Sequence, residues 1–392
     1  MTEAALQTKI NNADSDTSMS ELLNMLHSAK EYSYHSLYDS AGILPAADSA
    51  NIGRIAFAEA TDAMYVFVGM DSGWRVLDSD ASFPSIPPVA PVFAGENYGY
   101  SMGGGDTPYT QGIEQYPFSS DANATSVGSM DNPEPTAVWT GTGGGSETHG
   151  YHIGGSPVSP FSSPIFKFPY SSGTPISDTG NDVGANQLYR YSHSEMCGDR
   201  TNIYIVGGYR GPSYPTLSNR NAILNFAATS DGSTITDYGD LSAGKRFVST
   251  GSSDTHGYSA GGYTTTGINV IEKWPFSAAA NASDVGDLTA NFHAAPASSS
   301  STHGYKAGGL TPGASNVIEK YSFATDGNAT DVGDLLVVKS QGAGASSATH
   351  GYMAGGNPKV NTIQKYSFSV DGNATDVGDL SIALRGNAST HY

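Results

Sequence analysis

Six copies of one glycine-rich motif, each followed by short runs alternating apolar and polar residues, predict an all-β chain folded as a six-bladed β-propeller. The motif Thr-His-Gly-Tyr-x-x-Gly-Gly stands at Thr148 to Gly155, Thr255 to Gly262, Thr302 to Gly309 and Thr349 to Gly356, with weaker copies at Asn97 to Gly104 and Thr201 to Gly208. Its glycine pairs begin at Gly103, Gly154, Gly207, Gly261, Gly308 and Gly355, giving intervals of 51, 53, 54, 47 and 47 residues. That is close to the roughly 50-residue period of one class of four-stranded blade. The composition agrees: 48 glycines among 392 residues, with only 14% charged, favour many turns and short strands.

Each period divides into the four strands a blade needs. In the fourth copy they read Arg246 to Ser252, His256 to Tyr263, Asn269 to Phe276 and Ser283 to Leu288. The third strand has a recurring core, Ile271-Glu272-Lys273-Trp274-Pro275-Phe276, Ile318-Glu319-Lys320-Tyr321-Ser322-Phe323 and Ile363-Gln364-Lys365-Tyr366-Ser367-Phe368. Alternation with period two marks strands that pack on a neighbouring blade. The glycine pair that ends the second strand fits a tight turn with positive φ.

Ring closure is legible at the carboxy terminus. Sixteen residues separate Asp240 from His256, Asp287 from His303 and Asp334 from His350, whereas after Asp379 the chain runs only 13 residues further, to Tyr392. Arg385 to Tyr392 is therefore expected to supply the strand that the first blade lacks, hiding both edges of the ring.

On these motifs residues 90 to 392 resemble the kelch-like β-propellers, whose blades carry a Tyr-x-x-Gly-Gly strand end followed by a strand containing Tyr or Trp. The His-Gly before the tyrosine and the lack of a regular tryptophan in the last strand depart from that pattern. The resemblance thus implies shared fold more than shared function.

The amino-terminal part reads differently. Residues 1–33 contain a capping box, Ser18-Met19-Ser20-Glu21, opening a predicted helix whose Leu22, Leu23, Met25, Leu26 and Ala29 form an apolar stripe. Such a helix needs a partner, so this segment is expected to attach to other proteins and to self-associate. Residues 34–82 hold three strand-like runs, Arg54 to Glu59, Ala63 to Val68 and Trp74 to Leu77, and a proline-rich spacer at 83–92 leads to the propeller at 93–392. The stretch Asn51-Ile52-Gly53-Arg54-Ile55-Ala56-Phe57, with Met64-Tyr65-Val66-Phe67 and Gly73-Trp74, resembles small repeats of structural proteins and tail fibres of marine tailed phages, the cyanophages above all. That resemblance implies a virion protein, located in the particle after synthesis in a host cytoplasm.

Charge and chemistry narrow the function. Eighteen basic against 37 acidic residues give a net charge of −19, which disfavours nucleic acid as a partner. The single Cys197 allows no intrachain disulfide, and no apolar run approaches the ~18 to 20 residues that span a bilayer. No basic stretch leading into an apolar run opens the chain, so export by a signal peptide is not expected. Signatures of serine hydrolases, zinc peptidases and phosphate-binding loops are absent, and no cofactor is expected.

His149, His256, His303 and His350 hold equivalent positions and have enough imidazoles for a metal ring on paper. A hydrogen bond from each to its own loop is the favoured reading. The oxygen-rich Asp326-Gly327-Asn328-Ala329-Thr330-Asp331 resembles a calcium loop without its closing glutamate, and reads better as a turn. The Asn-Ala-Ser/Thr triplets at Asn123, Asn281, Asn328, Asn373 and Asn387 are likewise read as turn chemistry.

Recognition is expected in the longer early repeats, at Gly141 to Glu147, Pro157 to Pro164 and Tyr209 to Arg220. Tyr209, Arg210 and Tyr214 offer aromatic faces and a cation suited to a glycan. The expected function is a non-enzymatic virion component displaying its propeller to a host-surface glycan; a propeller enzyme that degrades glycans is the alternative.

Overall fold

A computed structural model describes residues 55–58, 63–67, 74–76, 97–105, 110–130, 141–153, 164–170, 177–182, 190–211, 218–228 and 235–390; for 55–58, 63–67, 74–76, 164, 177–182, 190–192 and 210–211 it describes backbone alone. The chain divides into two compact units, Met1–Ala90 and Pro91–Tyr392. In the first, Ile55–Ala58, Ala63–Phe67 and Trp74–Val76 form a three-stranded antiparallel meander, with Ile55 opposite Val66 and Tyr65 opposite Val76. The helix expected over Leu22, Leu23 and Leu26 and the spacer at 83–92 lie outside the described residues.

The second unit is a six-bladed β-propeller of antiparallel sheets. The fourth blade is typical: Ser249–Ser252, His256–Ala260, Ile268–Pro275 and Ser283–Phe292 run in order from the axis outward. The innermost strands of the second to sixth blades are Thr142–Gly145, Glu195–Gly198, Ser249–Ser252, Ala297–Ser299 and Ala343–Ser346. They are built mostly from Gly, Ala, Ser and Thr because neighbouring inner strands almost touch. A Cβ at Gly143 would stand 2.1 Å from Ser389 O, and one at Gly344 2.1 Å from Ala297 O.

The first blade comprises Tyr98–Met102, Gly112–Pro117 and Thr125–Ser129, and its innermost position is filled from the carboxy terminus. Met102 and Ala388 exchange two backbone hydrogen bonds of 2.9 Å. Asn387 Nδ2 donates to Ser101 Oγ at 2.8 Å and to Ala354 O at 3.2 Å, so one side chain joins the first blade to the sixth.

Blades pack face to face, so the core consists of six hydrophobic clusters, one at each joint. Both faces of each third strand are therefore buried: Trp274 packs against the third blade while Ile271 packs against the fifth. The motif tyrosine stacks on the next blade's phenylalanine, Tyr258 on Phe323, Tyr305 on Phe368 and Tyr352 on Phe118, each with centroids 4.6 Å apart. The glycine of His-Gly-Tyr lets the aromatic ring of the adjacent strand lie across it. At Gly257 a Cβ would meet Trp274 at 2.4 Å.

Polar staples repeat at the same joints. Asn281, Asn328, Asn373 and Asn123 each accept a hydrogen bond through Oδ1 from the backbone N–H of Asp240, Asp287, Asp334 and Asp379, respectively, on the preceding blade. The following alanine N–H donates to the same aspartate's carbonyl at 2.8 Å in all four cases. Four of the Asn-Ala-Ser/Thr triplets are thus interblade clamps, and the fifth, at Asn387, is the closing strand. Lys273 pairs with Asp326 at 2.5 Å, Lys320 with Asp371 at 2.6 Å and Lys365 with Asp121 at 2.5 Å, the last across the closure.

Candidate functional site

In an antiparallel blade the turns joining first to second and third to fourth strands lie on one face. The second-to-third loops and the crossovers between blades lie on the other, here termed the mouth face. The two faces are built differently. On the first, each motif histidine bonds through Nδ1 to the hydroxyl of its own preceding threonine: Thr148 with His149 at 2.7 Å, and Thr255, Thr302 and Thr349 with His256, His303 and His350 at 2.8 Å. Burial, more than the neighbouring lysine, lowers the pKa of His256, His303 and His350. Among the described residues no group of three or more His, Cys, Asp or Glu is placed to hold a metal.

The mouth face carries a backbone ring. Just before the inner strands of the third to sixth blades and the closing strand of the first, one residue adopts a left-handed conformation: His193 (φ 57), Phe247 (φ 55), Ala294 (φ 54), Gln341 (φ 54) and Gly386 (φ 62). Four of these are not glycine, in a region that side-chain-bearing residues rarely enter. They are held there by one another. Phe247 N–H donates to His193 O, Ala294 to Phe247, Gln341 to Ala294 and Gly386 to Gln341, at 2.8–2.9 Å. The scaffold is constant while its side chains differ, which is the arrangement of a recognition rim on a rigid frame.

Aromatic side chains concentrate on one sector of that rim. The position after the glycine pair is Tyr209 in the third blade and Tyr263 in the fourth, but Gly105, Leu310 and Asn357 in the first, fifth and sixth. The position before the left-handed residue is Arg246 at the start of the fourth blade, His293 at the start of the fifth and Arg385 at the closing strand, but Ser192 and Ser340 at the third and sixth. Arg246 Cζ lies over the Tyr209 ring at 4.5 Å, the Tyr263 ring at 4.7 Å and the Phe247 ring at 5.8 Å. Asn219 Oδ1 accepts from Arg246 Nη1 at 2.7 Å, and Asn219 Nδ2 donates to Tyr263 O and Thr264 O, which locks the cation in place.

His193 and His293 flank the cluster, His193 with its ring 4.3 Å from Phe247 and His293 4.9 Å from Tyr263. Burial first, and Arg246 second, push His193 down to about 4 and lower His293 as well, so both imidazoles are neutral at pH 7. All six side chains are half-buried.

Below the rim, Glu195 is the one carboxylate on the innermost strands among the described residues. Burial pushes its carboxyl up to about 8, opposed by the Thr142 hydroxyl that donates to it at 3.3 Å.

Of the residues singled out in the sequence, Tyr209 belongs to this cluster. Arg210 lies with it in the strand Tyr209–Gly211, which pairs with Arg190–Ser192 and with Ser218, while Tyr214 lies outside the described residues. The expected loop Tyr209 to Arg220 thus begins and ends in strand. The expected loop Gly141 to Glu147 is corrected: Thr142–Gly145 is the buried inner strand of the second blade, chosen small for close approach rather than for recognition. Pro157 to Ser163 lies outside the described residues.

Arg246, Tyr263, Phe247, His193 and His293 escaped the sequence reading. The repeat alignment carried a signal for the aromatic residues, since Tyr263 stands where other copies have Gly105, Leu310 and Asn357 and Phe247 where they have Ala294, Gln341 and Gly386, whereas the Arg246 position also holds Arg385. No protein-family model and no curated protein matches the chain. Among the described residues no helix is long and apolar enough to cross a membrane.

Proposed function

We propose that this chain is a non-enzymatic virion component that presents the mouth face of its propeller to a host-surface glycan. The observation that carries the reading is the half-buried cluster of Tyr209, Arg246, Phe247 and Tyr263 on a rim whose backbone is hydrogen-bonded from the third blade round to the closing strand of the first. Aromatic faces and a rigid cation suit sugar rings, and display in many copies turns weak binding into avidity.

The amino-terminal region, including Leu22, Leu23 and Leu26, attaches to other virion proteins and self-associates in this proposal. Its resemblance to cyanophage structural repeats supports that role, and neither nucleic acid nor membrane insertion enters it. The test is to purify the particle and locate this chain with antibodies against each unit. Labelling of the propeller on intact particles, with the amino-terminal unit reached only after disruption, supports the proposal; absence of the chain from the particle refutes it. Release of sugar fragments from the bound glycan would instead favour the depolymerase alternative.

A further inference from the structure

We propose that Arg246 is the anion-binding centre of the mouth face and that its ligand is a sugar bearing a carboxylate, a uronic acid residue. The inference rests on the recognition reading above and gives its ligand a charge. The chain has a net charge of −19, and the lysines of the opposite face, Lys273, Lys320 and Lys365, are each neutralised by an aspartate. Arg246 is not. Its partners are the Asn219 amide oxygen and three aromatic rings, and no carboxylate pairs with it among the described residues.

A guanidinium has five N–H donors, and Asn219 accepts from Nη1. None of the Arg246 donors is both buried and unpaired, so those beyond Asn219 reach solvent. Three aromatic rings crowd the guanidinium, with centroids 4.5–5.8 Å from Cζ, and the remaining N–H donors are left for a further acceptor. A carboxylate matches that fork with two parallel hydrogen bonds, which a tetrahedral sulfate ester does less well. The adjoining rings of Tyr209, Tyr263 and Phe247 provide apolar contact for the sugar's C–H groups. Burial and Arg246 lower the pKa of the flanking His193 and His293, which therefore add little positive charge beside Arg246.

The experiment measures binding of the full chain to three immobilised probes: oligomers of galacturonate, the same oligomers after carboxyl reduction to galactose, and sulfated galactan. Wild type should prefer the galacturonate over the reduced oligomer by on the order of 10- to 100-fold, the usual worth of charged hydrogen bonds. Arg246→Gln should remove that preference with an unchanged melting temperature. Arg246→Lys, which keeps the charge and loses the fork, should retain only part of it and serves if the glutamine variant fails to fold.

Equal binding of charged and reduced oligomers, preference for the sulfated galactan, or a preference untouched in both variants overturns the inference while leaving glycan recognition standing. If wild type binds neither these probes nor any neutral glycan, both the inference and the recognition reading fall.

Discussion

Deleting Arg385 to Tyr392 removes the strand that closes the ring, and its cost can be worked from the contacts it makes. Among the hydrogen bonds that tie it to the rest of the propeller, six lie at 2.8–3.2 Å: two between Met102 and Ala388, Gly105 N–H to Arg385 O, Gly386 N–H to Gln341 O, and the two from Asn387 to Ser101 and Ala354. At about 1 kcal/mol net each, their loss costs about 6 kcal/mol. Tyr100 and Met102, both fully buried, would also be uncovered on an open sheet edge. Set against the ~5–15 kcal/mol that stabilises a typical domain, this should leave the truncated chain largely unfolded at 25 °C.

A milder variant tests the same account. Asn387→Ala removes two of those bonds, should cost about 2 kcal/mol, and should lower the melting temperature by a few degrees. Urea unfolding followed by near-UV circular dichroism reads both variants. If the truncated protein unfolds at the wild-type midpoint with the wild-type slope, the carboxy-terminal segment does not close the ring and the reasoning fails.

Other perturbations probe the joints and the inner strands. Gly286→Ala places a Cβ about where Gly327 O of the next blade sits, 2.2 Å away, whereas Gly327→Ala meets nothing within 4 Å. Thermal unfolding should show a loss of roughly 1–3 kcal/mol for the first and almost none for the second. Lys245 and Glu272 form a fully buried ion pair at 2.5 Å, so Glu272→Leu alone should cost about 3–5 kcal/mol and the double variant Lys245→Met/Glu272→Leu should recover most of it. Lys245 holds the Glu272 carboxyl below its usual range, so the stability it contributes is present above that range and should fade as pH falls through it. Glu195 has the opposite sign. Its folded carboxyl titrates at about 8 against 4.5, so wild-type stability falls as pH rises between those values, and Glu195→Gln should melt higher than wild type at pH 9 but not at pH 4. Sedimentation should show the full chain as an oligomer and residues 91–392 as a monomer, since the closed ring leaves its blades no partner to seek; equal association of both would place the contacts in the propeller.

The architecture was legible because a propeller writes its period into the chain. The motif glycines, the alternating third strands and the short final repeat each reflect one local demand, and together they foretold six blades and the closing strand. The joints were less legible. Asn328 reads as a turn residue, and only the approach of its loop onto Gly286 and Asp287 of the preceding blade shows that its amide is a clamp. Glu272 reads as the polar face of an alternating strand, yet that face meets another blade, where Lys245 and Ser242 N–H receive it.

The candidate site was the least legible part. Left-handed His193, Phe247, Ala294 and Gln341 share no residue type, because backbone bonds around the ring impose the conformation. Arg246 gains its meaning from Tyr209 on the previous blade and Tyr263 later on its own, a proximity that spacing alone does not reveal.

The central claim is that the sector of the mouth face around the third and fourth blades is the recognition surface. Its most direct test is binding of the fluorescent full chain to a panel of surface glycans, comparing wild type with Tyr209→Ala/Tyr263→Ala and with Lys320→Ala on the opposite face. The account predicts that the double variant loses binding while its melting temperature stays near wild type, and that Lys320→Ala binds as wild type does. Full binding by the double variant, or loss of binding on changing Lys320, would contradict it.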